Sequence, residues 1–115
     1  MAIAPWGVLG GGHFKTKAQR EAKTGARAAY RAHTEGQQKV IDTLETISEK
    51  RGVPMTSVAL AYVRHQSPYN VFPIVGGRSV KNLKENIEAL ELRLTKEELD
   101  DIQAAEGFEF GFPWK

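Results

Sequence analysis

The sequence predicts an α/β fold in which helix outweighs strand. Two short apolar segments read as brief strands: Met1–Pro5, and Val71–Val75 with its bulky, partly β-branched run. Each runs into glycine, and the stretches between and after them carry apolar residues at helical spacing. The order strand, helix pair, strand, helix is a βαβ unit with an extra terminal helix. Its two strands should be parallel, with a right-handed crossover. A chain of 115 residues is enough for one small domain.

Met1–Pro5 is the first expected strand, ended by Pro5. Trp6-Gly7-Val8-Leu9-Gly10-Gly11-Gly12 comes next, a loop whose glycines let backbone amides line up against a ligand. It lacks the Lys-Ser/Thr ending of a nucleotide P-loop and does not match the Rossmann fingerprint, and a flexible linker is the commoner reason for such a cluster.

Residues 13–35 are basic and polar and read as a long loop, with helical turns near Ala18–Ala22 and Ala26–Arg31. Loops of this length are functional covers or disordered segments. Between Lys15 and Arg31 the basic residues Lys15, Lys17, Arg20, Lys23, Arg27 and Arg31 are opposed by Glu21 alone. Such a run is usually a solvated face and less often meets phosphate or nucleic acid.

Residues 36–66 read as a helix pair. The first helix, Thr34–Arg51, carries Val40, Ile41, Leu44 and Ile47 as one stripe, Thr34 as cap, and Lys50 and Arg51 as complements of the dipole before Gly52 stops it. Pro54 opens the second, which runs to about His65 and is apolar around much of its girth, so it is expected to be buried.

The segment 71–90 reads as strand, turn and helix. Gly76 and Gly77 end the strand by permitting positive φ and close approach of another group. Ser79 is the expected N-cap, and Val80, Leu83, Ile87 and Leu90 recur at helical spacing. Strand, glycine turn and helix start together make an anion site, to which Arg78 adds a fork of donors. Asn82 and Asn86 share a face beside that end, where amides can read a polar ring. The same residues also suit an ordinary strand-to-helix turn, with Arg78 in solvent and both amides on a wet face.

In the last portion, 95–115, Thr95 and Glu98 form a capping box, Leu94 and Leu99 its hydrophobic staple, and Ile102 continues the buried face. The acidic pairs Glu97-Glu98 and Asp100-Asp101 read as dipole complements on an exposed helix start. After Gly107 the tail holds Phe108, Phe110, Phe112 and Trp114, which need something to pack on.

Composition limits the chemistry. Hydrophobic content of 41% and charged content of 26% fit a globular class, and the net charge is +2. The absence of cysteine excludes disulfides and thiolate metal sites and suits a reducing compartment. No apolar run approaches the roughly 20 residues of a membrane span, and the N-terminus lacks the basic lead-in of a signal peptide. A cytoplasmic protein with no membrane partner is expected. His13, His33 and His65 have no metal-ligand spacing, so no metal site is expected. Tyr30, Tyr62 and Tyr69 lack a nearby lysine in an apolar setting, and no serine has a nucleophile-elbow context, so no catalytic residue is assigned.

The pattern G-x-R-x-x-x-x-L-x-x-N after a strand, met by Gly76, Arg78, Leu83 and Asn86, resembles the eighth βα unit of the aldo-keto reductases. Ala4-Pro5-Trp6-Gly7-Val8-Leu9 resembles the segment that closes their seventh strand, and its wording is closest to the aryl-alcohol dehydrogenase branch. The resemblance spans nearly all of the chain. It implies the C-terminal quarter of a (β/α)8 TIM barrel, a βαβα piece, predominantly helical, with two short parallel strands at most. A whole barrel takes roughly 250 residues.

It also implies NADP as cofactor. Ala4, Pro5, Trp6 and Gly7 would lie along the pyrophosphate and nicotinamide ribose, Lys15 near the pyrophosphate, and Gly76, Gly77, Arg78, Asn82, Glu85 and Asn86 at the adenosine 2′-phosphate end. Asn82 stands where the family often has Gln, and Ile3 where many members have an aromatic ring. The family's catalytic Tyr, Lys, Asp and His belong to earlier strands. Three functions are open, in order: an NADP-binding part of an oxidoreductase that is inactive alone, a self-associating structural or interaction module, and a nucleic-acid binder using 13–31. The third has no recognised reading motif, so no nucleic-acid partner is expected. The open strand edges suggest a homo-oligomer.

Overall fold

The computed structural model describes residues 1–21, 33–66, 68–107 and 111. The helical turn expected near Ala26–Arg31 and the four aromatic residues of the tail lie outside them. Among the described residues a 3-10 turn, Gly10–Gly12, precedes five helices: α1 (Lys17–Glu21), α2 (Glu35–Arg51), α3 (Met55–His65), α4 (Val80–Glu88) and α5 (Lys96–Ala105). None of them is long and apolar enough to cross a membrane.

Local chemistry sets the helix ends. Thr34 caps α2 and forms a reciprocal box with Gln37, each side chain bonded to the other's backbone N–H at 3.2 and 3.1 Å. Gly52 ends α2 at φ 65°, and the N–H of Val53 reaches back to the Ser48 carbonyl at 3.2 Å. Pro54 stands one position earlier than the sequence suggests, as the N-cap of α3 rather than its first residue. Thr95 and Glu98 make the expected capping box of α5.

The core lies between α2, α3 and α5. Ile41, Leu44, Ile47, Met55, Val58, Ala59 and Ile102 form one buried cluster, with Phe14, Leu92 and Leu94 packed on its margin. Each fully buried Ile, Leu or Val contributes about 1.5–3 kcal/mol from water removal. The α3 helix is accordingly buried over much of its girth, as its composition requires. Ala89 follows α4 and is 2% exposed, while Arg64 Nη1 donates to the Leu90 carbonyl at 2.9 Å, tying α3 to the end of α4.

Glu98 departs from the reading of an exposed dipole complement. It is buried and accepts from the Arg51 guanidinium, so Arg51 serves a carboxylate 47 residues away.

Where the sequence suggests two short strands, the described residues hold a single parallel bridge, Ile3 with Val71. Ile3 N–H donates to Asn70 at 2.9 Å, Phe72 N–H to Ile3 at 2.8 Å, and Ile74 N–H to Pro5 at 2.9 Å. The next rung of that ladder needs an N–H from residue 5, and proline has none. The two segments therefore run side by side as a parallel pair with one rung removed. A two-strand pairing with no further neighbour is marginal in any case.

One surface stays uncovered. Val80, Leu83, Ile87 and Leu90, the apolar stripe of α4 and the turn after it, are 71%, 56%, 56% and 49% exposed. Phe72 and Ile74 on the second parallel segment are exposed as well.

Candidate cofactor cleft

Both parallel segments deliver their C-terminal ends to one cleft of about 770 Å3, the first through Leu9, Gly11 and Gly12, the second through Gly76. Ligands of open parallel sheets bind outside the carboxyl ends of their strands for the same topological reason.

The first wall is made by the glycine turn and the residues just after it. Gly10, Gly11 and Gly12 have φ of 69°, 57° and 93°, a region that L side chains rarely adopt. At Gly10 a Cβ would also meet the Phe14 ring at 2.9 Å, so the missing side chain lets Phe14 fold beneath the turn and reach the core. That anchor sets the next residues, Lys15 and Thr16, in the cleft lining. Thr16 and Gln19 bond each other's backbone N–H at 3.2 and 3.0 Å and start α1, whose Gln19 also lines the cleft. His13, just before Phe14, meets His33 with their Nδ1 atoms 3.2 Å apart.

The second wall is one face of α4. Lys81, Asn82, Glu85 and Asn86 line the cleft together because positions three and four apart share a helix side. Ser79 fixes the start of this helix by accepting from the Asn82 N–H at 3.2 Å. Lys81 pairs with Glu85 at 3.7 Å, which offsets the carboxylate's charge within the wall. Between the walls lie Ser48, Pro54, Met55 and Thr56. The start of α3 thus borders the cleft, and no side chain caps it. Its partial positive charge, with Lys15 and Lys81, favours an anionic ligand, while the two asparagines supply donors and acceptors.

The structure brings together Lys15, Gly76, Asn82, Glu85 and Asn86 from the sequence-derived set. It places the others elsewhere. Gly77 lies behind Asn82, where a Cβ would come within 3.1 Å of the Asn82 Cβ. Neither Gly76 nor Gly77 has positive φ, so close approach explains Gly77 and backbone handedness explains neither. Arg78 is exposed, lies outside the cleft lining and makes no ion pair among the described residues. The reading that put its guanidinium and both amides on one concave surface holds for the amides only. Ala4, Pro5, Trp6 and Gly7 are also outside the lining: Pro5 is held by its carbonyl to Ile74, and Trp6 is 85% exposed.

Lys81, Gln19 and Thr56 belong to the cleft and carry no signal in the motif. For Lys81 the signal was available, since it sits four before Glu85 as Asn82 does before Asn86. Thr56 had none, because only the packing of α3 on α2 brings it there. No group of three or more His, Cys, Asp or Glu able to hold a metal is present among the described residues.

Comparison with known proteins agrees with the motif. Residues 1–106 match the model of the aldo/keto reductase family. The chain is 43% identical over 113 residues to norsolorinic acid reductase A of Aspergillus parasiticus, covering 98% of this chain and 28% of that protein. It is 44% identical over 116 residues to an aryl-alcohol dehydrogenase of Pestalotiopsis microspora, covering 100% of this chain and 29% of that one. A putative aryl-alcohol dehydrogenase of Saccharomyces cerevisiae is 40% identical over 120 residues, and there the match takes in 98% of this chain and 78% of the other. The chain spans under a third of the length of the first two relatives. On the family match and these identities, the chain belongs to the aldo/keto reductase family.

Proposed function

We propose that this chain is the C-terminal, NADP(H)-binding part of an aldo-keto reductase of the aryl-alcohol dehydrogenase type, and that alone it binds cofactor without turning over substrate. The observation that carries this is the shared cleft: Lys15 comes from one end of the chain and Asn82, Glu85 and Asn86 from the other. Its volume of about 770 Å3 falls within the range of cofactor pockets, roughly 300–1,000 Å3. The donor set suits a phosphorylated nucleotide, with two ammonium groups, an uncapped helix start and two amides.

When bound, NADPH supplies the hydride that reduces a carbonyl. The residues of this chain hold and orient it. Lys15 and the start of α3 neutralise the pyrophosphate, and Asn82 and Asn86 take the adenosine end. Arg78, exposed at the turn before α4, meets the 2′-phosphate from outside the lining. The proton donor and its partners come from the barrel strands that precede this portion in the family.

Calorimetric titration with NADP+ and with 2′,5′-ADP tests the reading. Both should bind, and Asn86→Ala and Lys15→Ala should each weaken binding by roughly tenfold, the worth of one charge-assisted hydrogen bond. Absence of heat at millimolar ligand would contradict it.

A second reading is favoured by the uncovered stripe Val80, Leu83, Ile87 and Leu90 and by the exposure of Phe72 and Ile74. Apolar side chains left this exposed suit self-association into a homo-oligomer. A monomer by light scattering at high concentration would dismiss it.

A further inference from the structure

We propose that His13 and His33 form a two-histidine site for a divalent transition ion of the zinc class, joining the two ends of the segment between them. Twenty residues separate them, so no ligand spacing in the sequence announces the pair. Their Nδ1 atoms lie 3.2 Å apart and their ring centroids 4.9 Å apart, with the rings inclined at 71°.

Those distances are compatible with an ion held between the two rings. An ion at the usual Zn–N distance of about 2.0–2.1 Å from nitrogens 3.2 Å apart subtends about 99–106°, close to tetrahedral. If both lone pairs aim at that ion, the ring centroids fall about 5.0 Å apart, against about 5.5 Å for a collinear hydrogen bond. The observed 4.9 Å accommodates an ion between the rings and equally a bent hydrogen bond in its absence.

Without metal one Nδ1 donates to the other, which requires complementary tautomers. Binding moves the donor's proton from Nδ1 to Nε2 of the same ring, so a neutral pair releases no proton and each Nδ1 offers a lone pair. No group of three or more His, Cys, Asp or Glu that could hold a metal is present among the described residues, and the two imidazoles are the ligands proposed.

Both histidines are half-buried and neither lines the cleft. The ion acts through position. His13 precedes Phe14, Lys15 and Thr16 of the cleft wall, and His33 precedes the Thr34 cap of α2. Coordination fixes the wall to the helix that carries the core. The site is independent of the cofactor reading, because it asks nothing of the nucleotide.

Untagged protein titrated calorimetrically with ZnCl2 in a non-chelating buffer at neutral pH should take up one equivalent with micromolar affinity. Saturation should raise the melting temperature by roughly 5 °C or more. His13→Ala and His33→Ala, each checked for retained helix by circular dichroism, should weaken binding by roughly tenfold or more. In the unaltered protein labelled at histidine nitrogen, Zn2+ should shift the Nδ1 resonances of two imidazoles and leave the third in place. Wild-type affinity in both folded variants overturns the site, as does an absence of paired Nδ1 shifts.

Discussion

Arg51 grips Glu98 with both arms of its guanidinium, Nε to Oε1 and Nη2 to Oε2 at 2.8 Å each, across the joint between α2 and α5. The same Nη2 donates to the Arg93 carbonyl at 3.0 Å, and Glu98 Oε2 also accepts from the Thr95 N–H at 3.0 Å. One buried carboxylate thus completes a helix cap and locks two helices together. The Arg51 hydrogen bond holds the Glu98 carboxyl at about 2, below its ordinary 4.5, against the opposing effect of burial.

A carboxyl with a depressed folded value binds its proton more readily when unfolded, and this sets the sign of the pH effect. Glu98 stabilises fully above about 4.5 and loses that contribution as pH falls toward about 2. Glu98→Gln should cost on the order of 2 kcal/mol at neutral pH and flatten the fall in stability across that window. Urea midpoints measured from neutral pH down to acid check both effects.

His65 makes the opposite kind of statement. Both ring nitrogens are buried and have no hydrogen-bond partner among the described residues, and burial first, then the charges of Arg64 and Arg93, lower its proton affinity below the ordinary 6.5. The unfolded chain accepts the proton that the folded chain refuses. Stability should therefore be complete above about 6.5 and decline as pH drops below it. His65→Leu should remove that decline and leave stability at neutral pH unchanged or higher, since it deletes an unpaired buried group. Thermal midpoints of both proteins between neutral and mildly acid pH decide it.

The stripe on α4 is apolar without being buried, so changing it should alter association and spare the fold. Leu83→Glu with Ile87→Lys should reduce the mass seen by light scattering while helix content stays constant, because both side chains are 56% exposed. Unchanged association would move the contact to Phe72 and Ile74.

The sequence made legible those features that depend on neighbours along the chain. Thr34, Ser79 and Thr95 cap their helices because the atoms they need lie three residues on. The stripe Ile41, Leu44 and Ile47 marks a buried face at one element's own period. Legibility failed where distant partners decide. Glu98 looked like a first-turn acid until Arg51 arrived from 47 residues away, and His13 had no visible relation to His33. The missing rung at Pro5 depends on the register against Phe72, which no local pattern fixes. In the cleft, the face of α4 was readable from four-residue spacing, and the outward placement of Arg78 was not.

Chemical-shift mapping with 2′,5′-ADP on nitrogen-labelled protein tests the central claim most directly. The expected result is saturable shifts concentrated at the amides of Gly76, Asn82, Glu85 and Asn86 and at Lys15 on the facing wall. Shifts confined to the uncovered side of α4 around Val80 and Leu83, or none at millimolar ligand, would contradict a nucleotide site in this cleft.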